Sequence, residues 1–402
     1  MFEKSRTSFH RKSRPRVTGK SRAKVAGKAC DKVFLFSELP SLTVGAIMSV
    51  GENGYMIYSM LGKTNLVIKR VGLGGIPLQR LTLQEATETV RYALDCGVNF
   101  IDTARGYTVS ERYIGAALAG GRRNDVVLAT KAPPLEYSAM LKEMEGSLDD
   151  LATDYIDLYQ VHNVKDCASI DRIFAADGAY AAFLEMKAAG KIGHFGVTSH
   201  KREVLAYLLE KYADKTETIM FPYNIVETQG EELFALASGL NVAVIVMKPL
   251  AGGAIENAAL AMRFALSNPD VSVVIPGMAE KSEVDINTAQ TAELSDADRE
   301  ECKRLANALG SEFCRRCSYC APCPAGLDIP TIFTFEGYLK RYDLADWAKD
   351  RYMHLQKRAK DCVKCGECER KCPYELKIRD RMQTVAQEFA DAEQDRTDAE
   401  RS

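Results

Sequence analysis

Two short runs of cysteine near the end of the 402-residue chain are spaced for metal chemistry. The first run holds Cys314, Cys317, Cys320 and Cys323. The second run holds Cys362, Cys365, Cys368 and Cys372. A proline follows each run, and the second reads C-x2-C-x2-C-x3-C-P, the spacing with which bacterial proteins bind a 4Fe-4S cluster. These residues therefore predict an iron–sulfur centre.

The ligand pairing follows one of two schemes. In proteins with two such clusters, the fourth cysteine of each run binds the other cluster. One cluster would then take Cys314, Cys317, Cys320 and Cys372, and the other Cys362, Cys365, Cys368 and Cys323. Pairing within each run is the alternative, and the shorter first run also leaves a single cluster open. Zinc is disfavoured, because a triple x2 spacing that ends in Cys-Pro is a poor zinc pattern.

A second set of reactive side chains lies where apolar runs end between residues 98 and 162. They are Asp102, Tyr107, Lys131 and His162. A tyrosine hydroxyl titrates near ~10 when unperturbed, and a neighbouring lysine favours the phenolate and lowers that pKa. The carboxylate would hold the lysine charged, and the histidine would hydrogen-bond a carbonyl oxygen or assist proton transfer. Together these groups predict a proton donor for a carbonyl that accepts a hydride.

The elements that position these residues repeat along the chain. Eight apolar runs alternate with helical patterns, and they are KRVGLGG (69–75), VNFID (98–102), VVLAT (126–130), YIDLYQV (155–161), IGHFGV (192–197), ETIMF (217–221), VAVIVM (242–247) and VSVVIP (271–276). In one intervening segment, Ala86, Val90, Ala93 and Leu94 recur at helical spacing. This repetition predicts an α/β fold, a closed (β/α)8 TIM barrel whose chemistry lies at the C-terminal strand ends. An open doubly wound sheet is the alternative, weakened because GLGGIP lacks the G-x-G-x-x-G spacing.

The motifs also carry a family resemblance. FIDTARGY, ATKAP, LYQVHN, KAAGKIGHFGVTSH, KPLAGG and IPG, in this order across residues 57–290, resemble the aldo/keto reductase superfamily. The resemblance implies NAD(P)H-dependent carbonyl reduction, with Asp102, Tyr107, Lys131 and His162 as the catalytic tetrad. It also implies nucleotide contacts: Thr198 and Ser199 at the nicotinamide carboxamide, and Lys248, Pro249, Leu250, Gly252 and Gly253 near the pyrophosphate. A barrel joined to a cysteine module resembles the ferredoxin-containing branch of that superfamily.

The sequence departs from the family pattern in the nucleotide region. NADP-preferring members usually place basic and hydroxyl residues after the last strand, where this chain has Gly277, Met278 and Glu283. A carboxylate repels a 2′-phosphate but accepts from a ribose hydroxyl. The resemblance therefore implies that NAD is favoured over NADP. Met220 stands for the usual glutamine, and Lys248 for the aromatic residue that stacks on nicotinamide.

The chain divides into four segments. Residues 1–55 are basic and are expected to form a disordered extension, with Met56 as an alternative start; a targeting segment is the other interpretation. Residues 56–300 would form the barrel and 301–385 a small, mainly helical 4Fe-4S domain, with helices at 292–309, around 331–342 and around 346–361. Residues 386–402 form an acidic tail.

Composition limits the partners. A formal net charge of −2 gives no global attraction to nucleic acid or membrane. The chain also lacks an uncharged apolar run of the ~18–20 residues that span a bilayer. Tightly spaced cysteines in an intracellular enzyme more often bind metal than form disulfides, so we expect a cytoplasmic setting. The expected partners are a small carbonyl or alcohol substrate and a redox protein.

Three roles remain open for the combination of barrel and cysteines. Hydride transfer moves two electrons together, whereas a 4Fe-4S cluster passes one at a time. The barrel could reduce a carbonyl while the clusters relay electrons to or from a separate protein. It could instead act as a reductase whose clusters are structural or oxygen-sensing. The third interpretation is a non-catalytic barrel that carries an electron-transfer or docking module.

Overall fold

A computed structural model describes residues 58–310, 312–316 and 319–391. The predicted extension 1–55, Cys317 and the acidic tail beyond residue 391 lie outside the described residues. The strands are β1 Tyr58–Met60, β2 Val67–Lys69, β3 Leu73–Gly74, β4 Phe100–Asp102, β5 Val127–Ala132, β6 Ile156–Val161, β7 Ile192–Thr198, β8 Thr218–Pro222, β9 Ala243–Met247 and β10 Val273–Ile275.

Helices follow the strands around the outside and continue beyond them. They are α1 Leu83–Asp95, α2 Ser110–Leu118, α3 Tyr137–Asp150, α4 Cys167–Ile173, α5 Ala179–Ala188, α6 Arg202–Tyr212, α7 Glu231–Gly239, α8 Ala258–Ser267, α9 Lys281–Thr288, α10 Asp296–Leu309, α11 Ile329–Arg341, α12 Ala345–Met353, α13 Glu367–Arg370 and α14 Ile378–Glu388. None of the described helices combines the length and the apolar character needed to cross a bilayer.

Strands β3 to β10 form one parallel barrel in chain order. The sheet closes through parallel bridges between Val71 and Val274 and between Gly74 and Gly277. Each of the eight apolar runs overlaps one of these strands, so the predicted barrel is confirmed. Such strands are buried on both faces and therefore read as continuous runs of Val, Ile and Leu rather than as alternating patterns.

Local sequence explains where helix α1 begins and which of its sides packs on the barrel. Helix α1 starts with a capping box, in which the Thr82 side chain accepts from the Glu85 amide and the Glu85 carboxylate accepts from the Thr82 amide. Such caps satisfy amides that the helix leaves free. Ala86, Val90 and Ala93 are fully buried against the strands. The helical spacing seen in the sequence therefore marks the face that packs on the barrel.

The β1–β2 hairpin closes one end of the barrel. Leu61 and Ile68 are fully buried in the same cluster as Phe100 and Val127, the first residues of β4 and β5. The hairpin therefore covers the end at which the strands begin. Chemistry is left to the opposite end, where the carboxyl termini of the strands open.

The C-terminal region forms a small helical domain with its own core. Ile332, Phe333, Tyr352, Met382 and Phe389 are buried there, together with several of the cysteines. The helices predicted at 292–309 and around 331–342 are confirmed as α10 and α11. The helix predicted around 346–361 is present as α12, which ends earlier, at Met353. The described residues of this domain and of the barrel belong to one compact unit.

Candidate active site and cysteine centre

The structure brings the four predicted acid–base residues to one mouth of the barrel. Asp102 ends β4, Lys131 lies near the end of β5, and His162 follows β6 directly. Tyr107 lies in the loop between β4 and α2. Because these strands are parallel neighbours, their carboxyl ends meet at one edge.

Asp102 and Lys131 form a buried ion pair. Lys131 Nζ lies 2.5 Å from Asp102 Oδ2, and each residue is only 2% exposed. Lys131 also donates to the Thr103 carbonyl at 2.8 Å, and Gln160 Nε2 donates to the other Asp102 oxygen at 3.0 Å. Burial raises the pKa of Asp102, and Lys131 and Gln160 limit that rise. The pair is held in one geometry and cannot exchange freely with solvent.

Tyr107 is kept as a protonated phenol. Burial raises its pKa, and the charge of Asp102 adds to the rise. The prediction that Lys131 would lower this pKa is wrong for this structure. Lys131 Nζ stands 4.9 Å from the centre of the Tyr107 ring, and its charge is already matched by Asp102. Tyr107 is therefore suited to donate a proton, not to persist as phenolate.

His162 stands edge-on to Tyr107. The two ring centres are 6.0 Å apart and the planes cross at 87°. Burial lowers the pKa of His162 well below 6.5, and the charges of Lys131, Lys165 and Lys248 lower it further. The imidazole is therefore neutral near pH 7, with one nitrogen that donates and one that accepts. Such a group can hydrogen-bond a carbonyl oxygen without competing as the acid.

A chamber of about 760 Å³ separates the barrel mouth from the C-terminal domain. Tyr107 and His162 line it from the barrel, and Cys320, Cys323 and Trp347 line it from the C-terminal domain. Its volume lies in the range of about 300–1,000 Å³ that is usual for small-molecule sites. Tyr107, His162 and two of the predicted metal ligands therefore face one shared space.

Charged contacts hold the C-terminal domain over this chamber. Arg316 pairs with Glu227 at 2.5 Å, and the Glu227 side chain is fully buried. Arg315 donates to the Val226 carbonyl at 2.9 Å, and Arg351 donates to the Gly106 carbonyl at 3.3 Å. Separating Arg316 from Glu227 would leave a buried charge without its partner, which is energetically costly. The pair therefore fixes how the C-terminal domain docks on the barrel.

The cysteines fit an iron–sulfur assignment with ligands exchanged between the runs. Cys323 of the first run and Cys362, Cys365 and Cys368 of the second run line one small cavity. Within the described residues, no three Cys, His, Asp or Glu side chains are gathered so as to hold a single metal ion. A 4Fe-4S cluster instead presents a different iron to each thiolate. The cavity combines four soft donors, which suit iron–sulfur chemistry.

The remaining described cysteines of the two runs lie near the same small core. Cys320 is buried within it, and Cys314 and Cys372 are partly buried against it. Together with Cys317, which is not described, they are the four residues predicted for the other cluster. The structure thus places the described members of both predicted sets in the C-terminal domain.

The hydroxyl groups expected at the nicotinamide carboxamide are engaged elsewhere. The Thr198 hydroxyl accepts from the Asn163 amide at 2.7 Å, and the Ser199 hydroxyl donates to the Val164 carbonyl at 2.7 Å. Both residues are at most 1% exposed. Asn163 and His200, which lie beside them, line the chamber instead.

The loop expected at the pyrophosphate is covered by the C-terminal domain. Arg341, the last residue of α11, donates to the Gly252 carbonyl at 2.9 Å. A Cβ atom added to Gly252 would lie 3.0 Å from the Tyr342 ring, and one added to Gly253 would approach Arg341. The space next to these glycines is therefore filled by protein side chains.

The other predicted nucleotide contacts are also committed. Glu283 accepts from the Ala279 amide at 2.6 Å within the cap of α9, and it lies 4.0 Å from Arg80. Pro249 is buried and Leu250 packs on apolar side chains, whereas Lys248 lines the chamber. In this arrangement the predicted residues do not form an open dinucleotide site.

Some residues of the site were missed from the sequence. Gln160 orients Asp102 through a hydrogen bond. It also precedes His162 by two residues, and residues two apart in a strand lie on the same face. Asn163 is the last residue of the LYQVHN motif, and the motif alone does not show that it lines the chamber. Arg316 and Glu227 carried no local signal, because their pairing depends on how two distant segments dock.

Comparison with protein-family models matches both parts of the chain. The model described as the aldo/keto reductase family matches residues 70–259. The model described as a 4Fe-4S dicluster domain matches residues 313–377. The first match covers the strands from β3 to β9, and the second covers both cysteine runs.

Individual proteins resemble the barrel portion. L-galactose dehydrogenase of Arabidopsis thaliana is 27% identical over 282 residues, which are 58% of this chain and 88% of that protein. NADH-specific methylglyoxal reductase of Escherichia coli is 31% identical over 228 residues, 48% of this chain and 67% of that protein. The holo form of aldo-keto reductase AKR11C1 from Bacillus halodurans superposes with a TM-score of 0.54 at 26% identity, covering 63% of this chain and 97% of that one.

Proposed function

This chain belongs to the aldo/keto reductase family, and from that premise we propose that it interconverts a small carbonyl compound and its alcohol in the chamber. The chain is an oxidoreductase whose C-terminal region is a 4Fe-4S dicluster domain. The observation that carries the proposal is that Tyr107 and His162 line the same chamber as Cys320 and Cys323. This shared space favours electron relay by the clusters over a purely structural role.

The barrel residues supply the proton chemistry. Tyr107, held protonated by burial, donates its proton to the carbonyl oxygen as that oxygen gains negative charge. Neutral His162 donates a hydrogen bond to the same oxygen and fixes its approach. The Lys131–Asp102 pair packs Lys131 against the Tyr107 ring and keeps the phenol in position.

Two clusters are proposed, with ligands exchanged between the cysteine runs. Cys323, Cys362, Cys365 and Cys368 would hold one cluster, supported by the cavity that they share. Cys314, Cys317, Cys320 and Cys372 would hold the other. When bound, such clusters accept and release single electrons, so a separate redox protein is the proposed partner.

A reduced nicotinamide is the proposed hydride donor, with NAD preferred over NADP. The support is family membership and similarity to a relative named as an NADH-specific reductase. In the arrangement described here, Arg341 and Tyr342 fill the space beside Gly252. A dinucleotide on the family's path would therefore require that contact to open.

The test uses two substitutions in protein purified without oxygen. Tyr107→Phe should abolish aldehyde reduction, whereas Tyr207→Phe, on the outer helix α6, should leave it unchanged. Cys365→Ser should remove one cluster signal from the EPR spectrum. If the clusters relay electrons, it should also impair aldehyde reduction driven by a one-electron donor such as reduced methyl viologen, which supplies two electrons per carbonyl while two protons are taken up, with Cys167→Ser as the control. Full turnover by Tyr107→Phe would refute the proposed reaction. Full turnover by a folded Cys365→Ser protein that lacks one signal would refute the relay.

A further inference from the structure

Positive side chains dominate the lining of the chamber. Among the described residues that line it, the basic ones are Lys165, Lys201, Lys248, Arg316 and Arg351, with His162 and His200, and the only acid is Asp328. A chamber with this imbalance attracts negatively charged molecules.

Several of these charges are already matched or occupied. Arg316 pairs with Glu227. Arg351 lies 4.0 Å from the centre of the Trp347 ring and donates to a backbone carbonyl. The Asp328 carboxylate accepts from both the amide and the hydroxyl of Thr331 at the start of α11. The two arginines are therefore engaged within the protein, whereas the Asp328 charge still acts on Lys165. The positive charge that remains belongs mainly to the lysines.

The three lysines of the chamber have no ion-pair partner among the described residues. Lys248 also holds a left-handed backbone, with φ of 57°, which a residue with a side chain adopts only at a cost. Burial and the charge of Arg316 lower the pKa of Lys248 to about 7. The His200 Nε2 atom is buried in the same lining and has no hydrogen-bond partner there. A bound anion would balance the positive charge of the lysines and could accept a hydrogen bond from the unpartnered His200 nitrogen.

We propose that the chamber binds small carbonyl substrates that carry a carboxylate or phosphate group, and that Lys248, with Lys165 and Lys201, binds that group. The inference rests on the proposed function, because it places the carbonyl of the same molecule at Tyr107 and His162. The three lysines line the same chamber as Tyr107 and His162. One substrate in that chamber is therefore placed to meet both the proton donor and a lysine.

A competing role for the lysines is to balance the negative charge of a cluster at Cys320. The two roles differ in what removal of Lys248 changes. Loss of a substrate anchor weakens anion binding and leaves the cluster potential in place. Loss of a cluster counter-charge shifts the potential and leaves anion binding in place.

Binding is measured first, without turnover. Trp347 is the single tryptophan of the chain and lines the chamber, so its fluorescence reports occupancy. The cluster-loaded full-length protein is titrated with oxalate and with inorganic phosphate, which distinguishes the two kinds of anion. Lys248→Met should weaken binding of the preferred anion about tenfold, the size expected for one charged hydrogen bond. Lys248→Arg should retain it, and Lys187→Met on the outer helix α5 should have no effect. Unchanged anion affinity in Lys248→Met, or a shifted cluster potential alone, would overturn the inference.

Turnover then separates this inference from the proposed function. The pairs are 4-oxobutanoate against butanal and glyceraldehyde 3-phosphate against glyceraldehyde, in which only the anionic group differs. In the unsubstituted protein, kcat/KM should favour one charged member by at least about tenfold, and Lys248→Met should reduce that ratio. The ratio cancels any effect of Lys248 on a cofactor. Equal rates for charged and neutral aldehydes, both abolished by Tyr107→Phe, would refute the anion site and still support the proposed reductase activity.

Discussion

Lys131 Nζ and Asp102 Oδ2 are 2.5 Å apart in a part of the barrel mouth that solvent barely reaches. Removing one member of a buried pair leaves the other charge uncompensated, which typically costs about 3–5 kcal/mol. We expect Asp102→Asn and Lys131→Met each to lower the free energy of unfolding by about that amount, measured by denaturant titration.

The double substitution tests whether this cost comes from the pair. Asp102→Asn combined with Lys131→Met should recover part of the lost stability, because no isolated charge remains. Arg202→Met, at the exposed Arg202–Glu232 pair, should cost less than about 1 kcal/mol. Additive losses in the double variant would contradict a coupled pair.

The opposite pKa shifts of Tyr107 and His162 predict a broad pH plateau for neutral aldehydes. Tyr107 must be protonated to act as the acid. Because its pKa is raised, it stays protonated at every pH up to about 10, the ordinary pKa of tyrosine, and beyond. His162 must be neutral. Because its pKa is lowered, it stays neutral at pH 6.5 and at somewhat lower pH as well. We expect kcat/KM for butanal to stay flat between about pH 6.5 and 10.

The same shift in His162 affects stability. Because its pKa is lower in the folded protein, its contribution is fully present above about 6.5, the unfolded value, and is lost as the pH falls below it. Unfolding at each pH therefore accompanies the rate profile as a control. An alkaline limb between pH 7 and 9 in a folded protein would show that Tyr107 ionises more easily than its burial implies.

Features that are set by residues close together in the sequence could be predicted, whereas features that depend on contacts between distant segments could not. The run at 98–102 predicted β4 and the position of Asp102 correctly, because burial on both faces leaves a local apolar signature. The cover over the mouth had no such signature, since Arg316 and Glu227 are 89 residues apart. The direction of the Tyr107 pKa shift cannot be predicted from the sequence for a related reason. The sequence indicates that Lys131 is nearby, whereas the burial that raises the pKa is a property of the folded chain.

Anion binding should depend on the protonation of Lys248. The charged groups that act on it are Lys165, Glu227, Arg316 and Arg341, and the Tyr338 ring centre lies 5.9 Å away. With a pKa of about 7 before binding, Lys248 must take up a proton to bind an anion above that pH. Affinity is therefore highest below about pH 7 and falls as the pH rises. Calorimetry of oxalate in buffers of different ionisation enthalpy should show proton uptake, and Lys248→Met should abolish it.

The ligand exchange between cysteine runs can be tested by comparing cluster losses. Cys323→Ser should remove the same EPR signal as Cys365→Ser, because both residues line one cavity. Cys372→Ser should remove the other signal despite its position in the second run. If Cys323→Ser instead matched Cys320→Ser, each run would hold its own cluster. Iron and sulfide content, with the Cys167→Ser variant as the control, separates loss of one cluster from general unfolding.

The contact of Tyr342 and Arg341 with the glycine loop should oppose dinucleotide binding. Arg341 donates to the Gly252 carbonyl, and Arg80 donates to the Tyr342 carbonyl at 2.9 Å while lying near Glu283. Opening this contact costs at least one hydrogen bond to a charged group, about 1.5–3 kcal/mol. Arg341→Gln should therefore tighten NADH binding about tenfold or more, measured by nicotinamide fluorescence. Arg304→Gln on the exposed face of α10 should leave it unchanged. If Arg341→Gln weakens NADH binding instead, Arg341 belongs to the dinucleotide site; tighter binding of NADPH than NADH would refute the proposed preference for NAD.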